Sequence, residues 1–221
     1  MNSAVAIFVK TPGLSPVKTR LGRTYGSRAA EQWHRHAAMC VAASASATGL
    51  PVYWAVAEAE GMQHELWQRL PRLAQGGGGL GRRMATVHTE LVRRHGGGVL
   101  IGADLPQIEP RHLLAAAAWL DAADPRHVLG PAHDGGFWLF GANRTLATAI
   151  WESVRYSRDD TAREFIKAVE AGAWEMLEPM TDLDQAEDLP AVLRQLEAIG
   201  TPTEPQCRLM RWLEQRIEQA A

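Results

Sequence analysis

Short apolar, β-branched runs alternate along the chain with longer amphipathic stretches, a pattern that predicts strands alternating with helices around one sheet. Residues 4–9 are uninterruptedly apolar and end at Thr-Pro-Gly, which predicts a buried strand followed by a loop. Residues 27–47 are alanine-rich, with Trp33, Met39 and Val41 as the larger apolar positions, and predict a long helix. A second strand is expected over 51–57, a helix over 62–70 and a glycine-rich loop over 75–79. Residues 82–95 predict a helix stopped by Gly96, Gly97 and Gly98, before a third strand at 99–103. A helix with proline near its first turn follows at 110–122, then short strands at 127–129 and 137–140. Helices over 144–151, 161–171, 185–199 and 208–219, with a strand near 174–177, complete the pattern. The fold class expected is α/β, a Rossmann-like, mostly parallel sheet with helices on both faces. With neither repeat nor linker in sight, residues 1–221 form one expected domain.

Composition narrows the picture. At 46% apolar residues the chain can bury a core without disulfides or metal staples. Cys40 and Cys207 match no ligand spacing and read as incidental thiols of a reducing compartment. The N-terminal apolar run is too short for a secretory signal, and no segment nears the roughly 20 apolar residues of a membrane span, so a cytoplasmic location is expected. A net charge of −2 without a basic face argues against nucleic acid but permits binding of one small anion. Among 23 basic residues only Lys10, Lys18 and Lys167 are lysine, and the first two share one loop. A compact ammonium on a flexible stem suits a phosphate.

Four segments could carry chemistry. Residues 10–21 follow the first strand, where ligands of open parallel sheets sit, and place Lys10, Lys18 and Arg20 together. A P-loop is not the explanation, because Val17 stands where its second glycine belongs and Pro16 removes a backbone N–H. Asp104 lies at the tip of the third strand, placed either to hold a divalent ion or to cap the helix that follows. Around His133-Asp134-Gly135-Gly136, the glycines admit close backbone approach and Trp138 offers a stacking surface, though an Asp-Gly hairpin turn explains the same letters. Finally, Asp182 and Asp184 precede a helix whose first-turn acids, Glu187 and Asp188, are explained by its dipole. His34 and His36, two apart on a helix, do not face one metal, and the remaining histidines are scattered. Most of the eight tryptophans are expected in the core.

Taken in order, FVKTPGLSPVKTRLG, QGGGGLGRRM, VLIGADLPQI, GPAHDGGFWLFG and TDLDQAEDL resemble the glycosyltransferase-A-like, or nucleotide-diphospho-sugar transferase, superfamily. Within it the similarity is to a bacterial branch first described as a domain of unknown function (DUF2064), related to molybdenum-cofactor and phospholactate nucleotidyltransferases. The resemblance implies a nucleotide at the carboxyl edge of the sheet together with Mg²⁺ or Mn²⁺. By position it implies that Lys10, Gly13, Lys18, Thr19, Arg20, Gln75, Leu80, Gly81 and Gly102 surround the nucleotide. It further implies Asp104 and Asp184 as metal ligands, Asp134, Gly135 and Gly136 on the acceptor side, and Asp104, Lys18 and Asp134 as the catalytic set. Gly79 and Arg82 depart from the pattern, since relatives carry acids there, and residues 156–161 match loosely.

The expected function is a metal-dependent transferase using a nucleotide diphosphate-linked donor, most simply a glycosyltransferase with a small-molecule acceptor. A guanylyl- or cytidylyltransferase releasing pyrophosphate is the alternative, and a nucleotide-binding protein without turnover the further one. No serine or cysteine motif suggests a covalent intermediate.

Overall fold

The structure, a computed structural model, describes residues 2–169 and 171–220. Its sheet contains β1 (Ala4–Val9), β2 (Val52–Val56), β3 (Arg72–Ala74), β4 (Gly98–Gly102), β5 (Arg126–Pro131), β6 (Phe137–Ala142) and β7 (Ala173–Met176). The spatial order is β3-β2-β1-β4-β6-β5-β7. All neighbours run parallel except β6, which is antiparallel to both β4 and β5. The expectation of a mostly parallel α/β sheet therefore holds, with β5 and β6 as its one hairpin.

The helices are α1 (Thr19–Tyr25), α2 (Ser27–Ser46), α3 (Leu80–His95), α4 (Pro110–Leu120), α5 (Thr148–Ser153), α6 (Thr161–Ala168), α7 (Leu189–Glu197) and α8 (Glu204–Ala220). Side chains alternate across β1, so Val5, Ile7 and Val9 face one helical layer while Ala4 and Ala6 face the other. The first layer is built by α2 and α4 through Ala38, Val41, Leu113 and Ala116. The second is built by α3, α5 and α6 through Val87, Leu91, Trp151 and Phe165, the last two closing on Phe140 with ring centroids 5.1 and 4.9 Å away. A third cluster seals the outer side of α2 against α7 and α8 through Trp33, Ala37, Val192, Leu196 and Leu209. Each large aliphatic side chain buried in this way contributes roughly 1.5–3 kcal/mol.

The structure corrects several element boundaries. The helix expected over 62–70 is two single 3₁₀ turns, Glu60–Gln63 and Glu65–Trp67, after which Arg72–Ala74 joins the sheet as an edge strand. Trp67 takes the place of a helical face there, packing on Trp54 at 4.9 Å between centroids. A short helix, α1, interrupts the basic loop, and α8 begins at Glu204 because Gln206 reaches back to cap Thr203. The helix expected to reach Ala171 ends at Ala168, and Glu170 within that span lies outside the described residues. Cys40 and Cys207 are free thiols. Among the described residues no helix is long and apolar enough to cross a membrane.

His88 on α3 is fully buried against Phe140 and Trp151. Burial favours its neutral imidazole and pushes its pKa down to about 4. In the unfolded chain a histidine takes its proton near pH ~6.5. The sign follows: the contribution is complete above that pH and is lost as pH falls toward the folded value, because only the unfolded chain gains a proton in that window. The loss should be on the order of 3 kcal/mol. Urea midpoints at pH 7.5 and 4.5 should therefore draw closer together in His88→Leu than in the wild type. Equal acid losses in the two proteins would remove His88 as the cause.

Candidate functional site

Because β1, β2 and β4 are parallel and in register, their carboxyl ends open onto one edge of the sheet. Three chain segments meet there. The first is the loop after β1, pinned by buried Thr11: its N–H donates to Glu58 Oε2 at 2.9 Å, and its hydroxyl accepts the Trp67 indole N–H at 3.0 Å. The second is Asp104, two residues beyond β4. Gln206 holds this segment by donating to the Pro106 and Ile108 carbonyls at 2.8 and 3.1 Å. The third carries Asp182 and Asp184. Met180 pairs with Ala132 beside the sheet, and Gln107 donates to the Thr181 carbonyl at 2.7 Å, which fastens the second segment to the third.

Lys18 is the centre of this arrangement. Its Nζ lies 3.2 Å from Asp104 Oδ2, 3.2 Å from Asp182 Oδ1 and 3.0 Å from Asp184 Oδ1, with the side chain only 5% exposed. Burial works against the ammonium, but the three carboxylates outweigh it and hold Lys18 protonated well above the usual lysine range. Burial likewise disfavours the Asp104 carboxylate, yet Lys18 and His34 draw its pKa well below the ordinary value. Asp182 is the member that yields: burial, together with the Asp104 and Asp184 charges, pushes its carboxyl up to about 7 against the pull of Lys18. The Lys18 backbone is left-handed, with φ 45° and ψ 48°, an uncommon state for a non-glycine residue.

Sequence reasoning gave His34 no part in the site, and the structure corrects that. Its Nε2 lies 3.0 Å from the Lys10 carbonyl and its Nδ1 lies 3.1 Å from Asp104 Oδ1. A carbonyl only accepts, so the Lys10 contact is made by an Nε2 that carries a hydrogen. His34 thus ties the β1 loop to the tip of β4. No sequence signal marks this pairing, because it joins residues 70 apart. The capping role left open for Asp104 falls to another residue: α4 is capped by Glu109, in a reciprocal box with His112.

These residues line a cleft of about 680 Å³ that contains Lys10, Thr19, Arg20, Gln75, Leu80, Gly102, Asp104 and Asp184 from the predicted set. Gln75 is buried, its amide donating to the Val9 and Ala55 carbonyls at 3.3 and 2.9 Å, so it braces the strand ends. Arg83 and Ser157 also line the cleft and were not foreseen. Arg83 sits on the first turn of α3, whose N-cap, Gly79, offers no side chain to the helix N–H groups. That turn therefore presents positive potential to the cleft. Gly13 does not line the cleft. Gly81 does not either; it lies beneath α5, where a Cβ would stand 2.3 Å from the Trp151 carbonyl oxygen.

A second cavity of about 280 Å³ shares Leu80, Gly102, Asp104, Ser157 and Asp184 with the first, and adds Asp134, Gly136, Phe137, Tyr156 and Arg158. Asp134 forms the turn that its sequence suggests, Oδ1 accepting the Gly136 N–H at 2.9 Å. Trp138 also lines this cavity, though it is largely buried and its indole N–H donates to the Glu178 carbonyl at 3.1 Å.

As they stand, no three His, Cys, Asp or Glu side chains among the described residues could hold a metal ion. The reason is visible: the point on which the Asp104, Asp182 and Asp184 oxygens converge is taken by the Lys18 ammonium. The donor set itself, three hard carboxylates around a cationic point, suits Mg²⁺ or Mn²⁺.

The model of a family described as an uncharacterized protein conserved in bacteria (DUF2064) matches residues 35–158, more than half of the chain. No curated protein matches it. A protein of Desulfovibrio desulfuricans G20, provisionally assigned as a nucleotide-diphospho-sugar transferase, superposes with a TM-score of 0.83 at 23% identity, over 99% of this chain and 97% of its own. The 4-diphosphocytidyl-2C-methyl-D-erythritol synthase of Anaerococcus prevotii DSM 20548 superposes at 0.55 with 9% identity, over 88% of this chain and 99% of its own. The CMP:2-keto-3-deoxy-manno-octonic acid synthetase solved with CTP superposes at 0.51 with 12% identity, over 89% and 97%. The fold is thus that of nucleotide-diphospho-sugar transferases, shared more distantly with nucleotidyltransferases.

The wall of the second cavity depends on one glycine. Gly135 has φ +86°, and a Cβ there would stand 2.1 Å from the Asp159 carbonyl oxygen, a backbone atom that cannot step aside. At Gly136 the nearest atom, 3.1 Å away, belongs to the Asp134 side chain, which can. Gly135→Ala should lose more than about 2 kcal/mol in urea unfolding, and Gly136→Ala less than about 1. Equal losses would show that the loops are not packed as described.

Proposed function

The chain belongs to the bacterial DUF2064 family, and from that premise we propose that it is a metal-dependent transferase acting on a nucleotide diphosphate-linked donor, in the first instance a glycosyltransferase. One observation carries the reading: a cleft of about 680 Å³ at the carboxyl edge of a parallel sheet gathers Lys10, Arg20, the first turn of α3, Asp104 and Asp184. Its volume is of the size that holds a nucleotide-sized ligand, and its place in the sheet is where such folds bind. The adjoining cavity of about 280 Å³, open to the same two aspartates, gives an acceptor a place beside the donor.

In this reading the bond between the sugar carbon and the donor's terminal phosphate oxygen breaks as the acceptor oxygen bonds to that carbon. Negative charge then gathers on the departing nucleoside diphosphate. Lys10, Arg20 and Arg83 face that charge, and the α3 N-terminus adds its dipole. Asp104 and Asp184, with Asp182 beside them, would hold the divalent ion, whose chemistry here is to neutralise the diphosphate. Asp134 borders the acceptor cavity with one oxygen bound to Gly136, which leaves the other to receive the acceptor proton.

The nucleotidyltransferase alternative needs a triphosphate and so more positive charge. Lys18 donates to Asp182 and Asp184 and is ion-paired with Asp104, and Arg20 lies 3.4 Å from Asp184. The cations left to face phosphate suit a diphosphate better.

In calorimetry with Mn²⁺, a nucleoside diphosphate-sugar should bind more tightly than the matching triphosphate, with slow release of nucleoside diphosphate. Pyrophosphate released from a triphosphate, with no diphosphate from any sugar donor, would reverse the assignment. Binding without release of either product would leave a nucleotide-binding protein without turnover. Arg83→Ala should weaken the diphosphate-sugar roughly tenfold to a hundredfold, the worth of one charge-assisted contact, with little change in melting temperature. Asp104→Asn should abolish the dependence of that binding on Mn²⁺.

A further inference from the structure

The cavity of about 280 Å³ beside the cleft is walled by Leu80 and Met84 of α3, Leu105 beyond β4, Phe137 and Trp138 of β6, and Tyr156 before α6. Of these side chains only Trp138 and Tyr156 carry a nitrogen or an oxygen, and both turn it into the protein. The Tyr156 hydroxyl donates to the Trp151 carbonyl at 2.8 Å, and the Trp138 indole N–H to the Glu178 carbonyl at 3.1 Å. Both rings therefore present carbon to the cavity. Thr161, on the same wall, has its hydroxyl turned to the Arg155 and Arg158 carbonyls at 3.0 and 2.9 Å.

The charges on these walls are largely matched within the protein. Asp104, Asp182 and Asp184 surround Lys18, and Arg158, half exposed, donates through Nε to Asp160 Oδ1 at 3.3 Å. Asp134 holds the Gly136 N–H on one oxygen, and its other oxygen makes no hydrogen bond among the described residues. With Arg158 opposite in sign to Asp134 on one cavity, the walls call for a neutral molecule that offers a single donor.

Leu80 points the same way. It is 46% exposed, an unusual state here for a large apolar side chain, and it lines both cavities. A molecule in the smaller cavity would cover it and remove that surface from water.

We infer that the acceptor of the proposed transfer is a neutral alcohol or phenol with an apolar body the size of one aromatic ring, its hydroxyl directed to Asp134, and that a sugar is refused. The inference rests on the transferase reading given above and deepens it by naming the class of acceptor. An apolar cavity of roughly 150 Å³ takes up benzene. The larger volume here admits a ring with a short hydroxylated arm. A sugar would set several hydroxyls against carbon, each losing water without gaining a partner. In the transfer the acceptor oxygen bonds to the sugar carbon and its hydrogen passes to Asp134. The electron pair of the broken bond leaves on the nucleoside diphosphate.

The test is a nuclear magnetic resonance titration of the full chain, labelled at its methionine methyl groups, with benzyl alcohol and separately with glucose. Neither nucleotide nor metal is added. Met84 lies on the cavity wall, and its signal is identified by its loss in Met84→Leu. Benzyl alcohol should shift that signal through the ring current of its phenyl group and leave the other methionines in place, while glucose should shift nothing. Leu80→Glu, at a position exposed enough to keep the fold, should weaken benzyl alcohol at least about tenfold by putting a charge on the apolar wall. Tyr156→Phe should bind it as the wild type does, because the lost hydroxyl faces away. A Met84 signal unmoved up to the solubility limit of benzyl alcohol, a shift produced by glucose, or shifts spread evenly over the methionines would overturn the inference. No sugar donor enters the titration. Failure of turnover with a Met84 response would remove the transferase reading alone, and turnover without that response would remove only the acceptor class.

Discussion

The buried contact of the Lys18 ammonium with three carboxylates is the constraint on which the site depends. It joins the loop after β1, the tip of β4 and the segment before α7, which are separated by more than 160 residues at the extreme. His34 extends the contact to α2 and back to the Lys10 carbonyl. Burial first, and the neighbouring Asp104 and Asp184 charges after it, push the Asp182 carboxyl up to about 7. Such a cluster adds little net stability, because desolvation consumes much of the Coulombic gain. Its effect is to specify geometry: the three segments cannot separate without exposing unpaired carboxylates.

The remainder of the fold serves to bring those segments to one edge. Parallel pairing of β1 with both β2 and β4 makes their carboxyl ends coincide, and the two helical layers keep the strands buried on both faces. Antiparallel β6 carries the chain back beside β4, so that the turn at Asp134 lies near Asp104 rather than at the far end of the sheet. The donor-sized and acceptor-sized cavities thus share a wall made of Asp104 and Asp184.

Much of this was legible in the sequence because a parallel sheet converts local order into position. An apolar run followed by Lys10 or Asp104 must end on the ligand edge, and the structure does bring Lys10, Lys18, Arg20, Gln75, Asp104 and Asp184 to one place. What stayed hidden depends on contacts across the chain. The pairing of His34 with Asp104, the enclosure of Lys18 by three carboxylates and the burial of Trp138 have no local signature. The edge strand β3 is three residues long, too short for periodicity to register, and α1 lies where Pro16 and Gly22 suggest only a loop.

The central claim, that one centre holds both a divalent ion and a nucleoside diphosphate, is tested most directly by a crystal structure of the complex. Crystals grown with Mn²⁺ and a nucleoside diphosphate should show a manganese anomalous peak between Asp104 and Asp184. The diphosphate should lie along Lys10, Arg20 and Arg83. A diphosphate bound away from this edge, or a manganese peak elsewhere, would contradict the account.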